Sequence, residues 1–100
     1  MSLQLPIDRE RIAEFSRRWR VVELSVFGSV LREDFGPDSD VDVLVAFAPD
    51  APWSLFHLVD MIDELKAIFQ RDVDLVEKDA IRNPFRRRAI LGQREILYAA

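Results

Sequence analysis

Asp40 and Asp42 stand two residues apart in the stretch from Phe27 to Val45, FGSVLREDFGPDSDVDVLV. Strand side chains alternate between faces, so these two carboxylates project together while Val41 and Val43 face the other way. Like charges held at short range disfavour joint ionisation unless a cation lies between them. A hard divalent ion with oxygen ligands, Mg2+ above all, suits such a pair. Upstream, Gly28-Ser29 opens a helix-like turn, where backbone N–H groups and the helix dipole favour a phosphate. A phosphate cradle beside a metal-binding carboxylate pair points to nucleotide chemistry.

Asp74 is a third acid of the same kind, set between Val73 and Leu75. If its strand pairs beside the one carrying Asp42, Asp40, Asp42 and Asp74 form a triad able to hold two Mg2+ ions. The separation that suits in-line phosphoryl displacement is roughly 3.5–4 Å. One ion would activate an attacking hydroxyl, the other would hold a triphosphate, and Asp74 would accept the hydroxyl proton. Asp72 competes for that role, but its place at the strand start beside Arg71 reads as surface.

The elements that must position these residues are legible in the pattern. Ile12, Phe15 and Trp19 at helical spacing predict a helix over 7–19, with Asp8 as N-cap and Pro6 just ahead. VVELSVF, 21–27, is rich in β-branched and aromatic residues and ends at a glycine, as a strand does. Pro37, Asp38 and Ser39 make the next loop a turn. VDVLVAF, 41–47, is apolar enough for a central strand covered on both faces, and Asp42 is its anomaly. A buried carboxylate is costly unless paired or metal-bound. After a Pro-rich break at 48–52, Ser54 caps a helix whose stripe is Leu55, Leu58, Val59, Ile62, Leu65 and Phe69. His57 falls off that stripe and reads as a surface or partner-facing side chain. DVDLV, 72–76, is a third strand, and Asn83-Pro84 starts a helix that closes at Gly92. The tail REILYA suits a strand or a helical turn equally.

Composition bounds the function. One hundred residues, read as a single domain over 1–100, hold one core. The absence of cysteine excludes disulfides and thiolate zinc sites, and His57 alone cannot build a histidine metal cluster. A net charge of −4 argues against a non-specific nucleic-acid binder, which needs clustered Lys and Arg. Neither an apolar run of about 20 residues nor a signal-peptide core is present, so membrane insertion is not expected and a cytoplasmic protein is the default.

Gly28-Ser29, ten residues, then Asp40-Val41-Asp42 resembles the GSx10DxD signature of the nucleotidyltransferase superfamily related to DNA polymerase β. Arg32, the Ser39-Asp40 pair and the apolar-flanked Asp74 strengthen the match, and the size is similar to that of the minimal nucleotidyltransferase (MNT) proteins. Helix, strand, GS turn, strand, helix, strand, helix is also that family's order. Glu33 departs from it, since many relatives carry glycine after the arginine. The resemblance implies an α/β (α+β) nucleotidyltransferase fold, a mixed β-sheet with helices packed mainly on one face. It also implies transfer of AMP from ATP, with two Mg2+ ions, to a tyrosine hydroxyl of a HEPN-domain ribonuclease toxin for which the MNT protein is the antitoxin. By that resemblance Gly28 and Ser29 bind the triphosphate and Arg32 and Ser39 contact the nucleotide. Asp40 and Asp42 then bind both metals, and Asp74 the catalytic one.

Residues of these types could also serve three other functions. An EF-hand loop opening at Asp38 fails, with Val43 for the glycine and Pro49 for the closing glutamate. A transferase acting on a small molecule needs acceptor-binding structure for which 100 residues leave no room. A binding-only antitoxin has no use for acids inside apolar strands. Arg86, Arg87, Arg88 and Arg94 are the candidates for partner or further phosphate contact, or they line a solvated helix face.

Overall fold

The computed structural model describes residues 6–32, 35, 36 and 38–100. Glu33, the departure from the family pattern, and Pro37 of the expected turn lie outside the described residues. The chain runs α1 (Arg9–Arg18), β1 (Val21–Phe27), a 3-10 turn (Gly28–Leu31) and β2 (Val41–Phe47). It continues through α2 (Leu55–Phe69), β3 (Val73–Glu77), a second 3-10 turn (Lys78–Ala80), α3 (Pro84–Gly92) and β4 (Arg94–Ala99).

The four strands form one mixed sheet in the order β3-β2-β1-β4. β1 pairs antiparallel with β2 and with β4, and β2 pairs parallel with β3. The undecided tail is therefore a strand: its Ile96 and Leu97 alternate between faces, as a pleated edge requires. β2 is central, as its apolar run predicts.

Alternation along β2 divides the core. Val41, Val43 and Val45 pack with Leu24 and Val26 of β1 against Ile12 and Phe15 of α1 and Met61, Leu65 and Phe69 of α2. Each such side chain, fully buried, contributes about 1.5–3 kcal/mol. Leu44 faces the opposite way and meets Ile81 and Ile90, with Phe27, Val76 and Leu91 around them. Two helices thus cover one face and α3 the other. Asp42 shares the face of Leu44, so the face beneath α3 carries the carboxylates.

The caps explain where helices begin. Asp8 accepts from the Arg11 N–H at 3.1 Å, and Asn83 Oδ1 accepts from Phe85 and Arg86 N–H at 2.9 and 3.1 Å, with Pro84 at the first helical position. At α2 the Ser54 N–H donates to His57 Nδ1 at 3.0 Å. His57 is also half-buried beside the Trp53 ring, 5.1 Å between centroids. It is a capping residue, not the surface or partner-facing side chain expected from its place off the stripe. The stripe itself is shifted: Leu55 and Val59 are 78% and 56% exposed, and Met61 is buried in their stead. Leu58, in the first turn, packs on the core, so the covered face runs through Leu58, Met61, Leu65 and Phe69 and leaves Leu55 and Val59 at its outer edge. Trp53, half-buried, donates from Nε1 to the Trp19 carbonyl at 2.7 Å, whereas Phe56 is 85% exposed.

Candidate functional site

The parallel register of β2 and β3 places Val41 opposite Val73 and Asp42 opposite Asp74. It is pinned at its start by the Val41 N–H donating to the Asp72 carbonyl at 2.9 Å. The two acids therefore sit side by side on neighbouring strands, facing the same way. Asp40 is the last loop residue rather than part of the strand, because β2 begins at Val41. Asp42 is half-buried, Asp40 is exposed at the end of its loop, and Asp74 is exposed because β3 is an edge strand. Asp72 is exposed and 3.5 Å from Lys66, the surface role expected of it.

Burial pushes the Asp42 carboxyl above its ordinary range, and the negative charges of Asp74 and Asp40 push it the same way. Arg32 and Arg86 oppose that rise. Two acids and two arginines thus converge electrostatically on Asp42. Arg86 reaches it because Asn83 and Pro84 start α3 over the carboxylate face. Among the described residues, no three carboxylate or imidazole side chains converge tightly enough to cage a metal ion unaided.

Gly28 closes the site from β1. Its φ is +73°, and a Cβ built there would lie 2.3 Å from Asp42 Oδ2. Only glycine lets the backbone approach a carboxylate so closely. The Ser29 hydroxyl donates to the Asp40 carbonyl at 3.4 Å, tying the GS turn to the Asp-x-Asp segment. The turn itself is a four-residue 3-10 segment. That is too short for the helix dipole expected from sequence, so what it offers an anion is its leading backbone N–H groups.

Ser39 serves its own loop, its hydroxyl accepting from the Gly36 N–H at 3.1 Å. Arg71 holds the same loop from β3's side. It donates to the Gly36 and Ser39 carbonyls at 2.6 and 3.2 Å and stacks over the Phe35 ring at 4.3 Å. Nothing in the sequence marked Arg71 for this task, because its partners are backbone carbonyls distant in the chain.

The remaining arginines divide. Arg87 donates to the Lys78 carbonyl at 2.6 Å, and Arg94 lies 3.0 Å from Glu23. Both are structural, and Arg88 is exposed. Burial alone would raise Glu23, but hydrogen bonds from Lys78 and Arg94 hold its carboxyl below the ordinary value. A cleft of about 350 Å³ opens beside Gly28, lined by Leu31, Arg32, Gln93 and Arg94 among others.

The family model for the nucleotidyltransferase domain matches residues 9–97. Protein adenylyltransferase MntA of Thermococcus cleftensis is 35% identical over 85 residues, covering 85% of this chain and 81% of that protein. A solved toxin–antitoxin structure with AMP-PNP shares the fold at a TM-score of 0.74 and 19% identity, over 94% of this chain and 75% of that one. So does the complex of a tri-AMPylated Shewanella oneidensis HEPN toxin with an MNT antitoxin, at 0.65 and 18%, over 92% and 70%.

Proposed function

Since this chain belongs to the nucleotidyltransferase domain family, we propose that it is an antitoxin that transfers AMP from ATP to a tyrosine hydroxyl of a HEPN-domain ribonuclease toxin. The observation that carries the reading is the register setting Asp42 beside Asp74, with the Gly28 backbone against the Asp42 carboxylate. The likeness to the Thermococcus protein adenylyltransferase supports a protein acceptor, and the fold shared with toxin–antitoxin complexes supports the partner. The cytoplasm, where ATP is made and used, is the compartment we assign.

The donor set fits Mg2+. It is all oxygen, and the mutual repulsion felt at Asp42 is what a divalent cation relieves. Mg2+ is commonly held by one or two carboxylates completed by substrate phosphates, so a complete protein cage is not required. Asp40 and Asp42 would hold both ions and Asp74 one. When bound, two such ions supply charge neutralisation to the triphosphate and acidity to the attacking hydroxyl.

The chain's own groups do the rest. The leading N–H groups of the Gly28–Leu31 turn receive the phosphates, and Arg32 adds positive charge at the edge of the same cleft. Ser39, whose oxygen already accepts from Gly36, retains its proton to donate to an oxygen of a bound substrate. The acceptor oxygen bonds to the α-phosphorus, the bond to the bridging oxygen breaks, and pyrophosphate leaves with the electron pair. The hydroxyl proton passes to an Asp74 Oδ.

The test is incubation with ATP labelled at the α-phosphate, Mg2+ and the HEPN-domain protein of the neighbouring reading frame. Label on that protein's tyrosine is expected. Neutralisation of the toxin with no label transferred would instead identify a masking antitoxin.

A further inference from the structure

Two clefts with no lining residue in common adjoin the site, one through Gly28 and the other through Asp40. The cleft beside Gly28 is on the β1–β4 side. A second, of about 470 Å³, opens where the chain enters β2 and β3, lined by Ser39, Asp40, Lys66, Gln70, Arg71 and Asp72 among others. In-line displacement puts the attacking and leaving oxygens on opposite sides of phosphorus. If the Gly28 turn holds the triphosphate, the acceptor comes from the side away from that turn, and Asp40 lines the cleft there.

We propose that the second cleft is the acceptor site, receiving the hydroxyl-bearing segment of a partner protein. The inference rests on the transferase reading above. The named lining is entirely polar, which suits a charged, solvated peptide and not a nucleobase or an apolar small molecule. Lys66 and Asp72 face each other at 3.5 Å with much of both side chains in solvent. Such a pair contributes little to the fold, so either group can exchange it for an opposite charge on an incoming chain. Arg71 forms the floor of the cleft instead, its guanidinium already engaged by Gly36, Ser39 and Phe35.

Asp40 lines this cleft and its backbone carbonyl accepts from Ser29, at the start of the turn beside the other cleft. One short segment therefore separates acceptor from nucleotide, with Asp42 and Asp74 on adjoining strands.

Steady-state transfer of labelled AMP to the neighbouring HEPN-domain protein, with each substrate varied in turn, tests the assignment on Lys66→Glu and Lys66→Trp. The first reverses a charge in the cleft and the second fills it. Both alter an exposed helix position, and thermal melting checks that the fold is kept. The expected result is a rise of about tenfold or more in the acceptor KM, with the ATP KM held within about twofold. An unchanged acceptor KM in both variants, or an equal rise for ATP, overturns the acceptor assignment. A wild-type protein that labels nothing overturns the transferase reading itself, and the acceptor site falls with it.

Discussion

Replacing Gly28 by alanine perturbs the site at its tightest contact. The added methyl would stand 2.3 Å from Asp42 Oδ2, and the backbone there has φ +73°. Ordinary van der Waals contact begins near 3.4 Å, so the carboxylate or the turn must retreat by about 1 Å. The left-handed conformation costs an L-residue about 1–2 kcal/mol on top. A domain of this size loses about 4–8 °C of Tm per kcal/mol, so Gly28→Ala should melt visibly earlier. The activity loss should be larger than the stability loss suggests, because a 1 Å misplacement of a reacting group can cost about 100-fold. Gly92→Ala is the matched control for melting: at the end of α3, nothing lies within 4 Å of its added Cβ. Labelled-AMP transfer and thermal melting on the two variants decide the matter. A Gly28→Ala protein that transfers AMP within about threefold of wild type would refute the reasoning that this backbone sets the carboxylate.

Other consequences are as direct. Asp42→Asn should abolish transfer, and it should melt above wild type at neutral pH. The raised carboxyl favours the fold while protonated, and that contribution is lost as pH climbs through its elevated value. The Tm gap between the two proteins should therefore shrink on acidification below the usual Asp range. Glu23 behaves oppositely, its lowered carboxyl stabilising the fold above its unfolded value and ceasing to as pH falls through the folded one. Glu23→Gln should cost about 1–3 kcal/mol in urea unfolding at pH 7, and much less near pH 3. Arg71→Ala should lower kcat about tenfold and speed amide exchange at Ser39 and Asp40, since it releases two backbone carbonyls of their loop. His57→Ala should lose about 1 kcal/mol of stability and no transfer activity, as a cap and not a ligand.

What could be read before the structure was whatever local chemistry determines. The strands at 21–27 and 41–47, the Asn83-Pro84 start and the GS turn follow from side-chain period, capping and backbone freedom over a few residues. The pairing of Asp42 with Asp74 was legible because two acids in apolar strands make sense only together. The rest depended on what lies across space. Arg71 gives no local sign of gripping two carbonyls of another loop, and His57 was misplaced because capping and surface exposure share the same helical position. The stripe of α2 failed at Leu55 and Val59 because an apolar arc wider than the covered face does not show which of its edges is buried. REILYA became a strand only because β1 had a free edge to pair with.

The parallel pairing of β2 with β3 also says when competence arises during synthesis. Parallel strands need a long crossover between them, here α2, so Val41 and Val73 meet only after the intervening helix has emerged and docked. Such non-local pairings form late and slowly. A ribosome-bound or proteolysed fragment ending before Val73 would carry the whole Asp-x-Asp segment yet lack the third acid. With the role proposed for Asp74, transfer would be an all-or-none property of the paired strands, and a cell counting on it would gain nothing from a half-made copy.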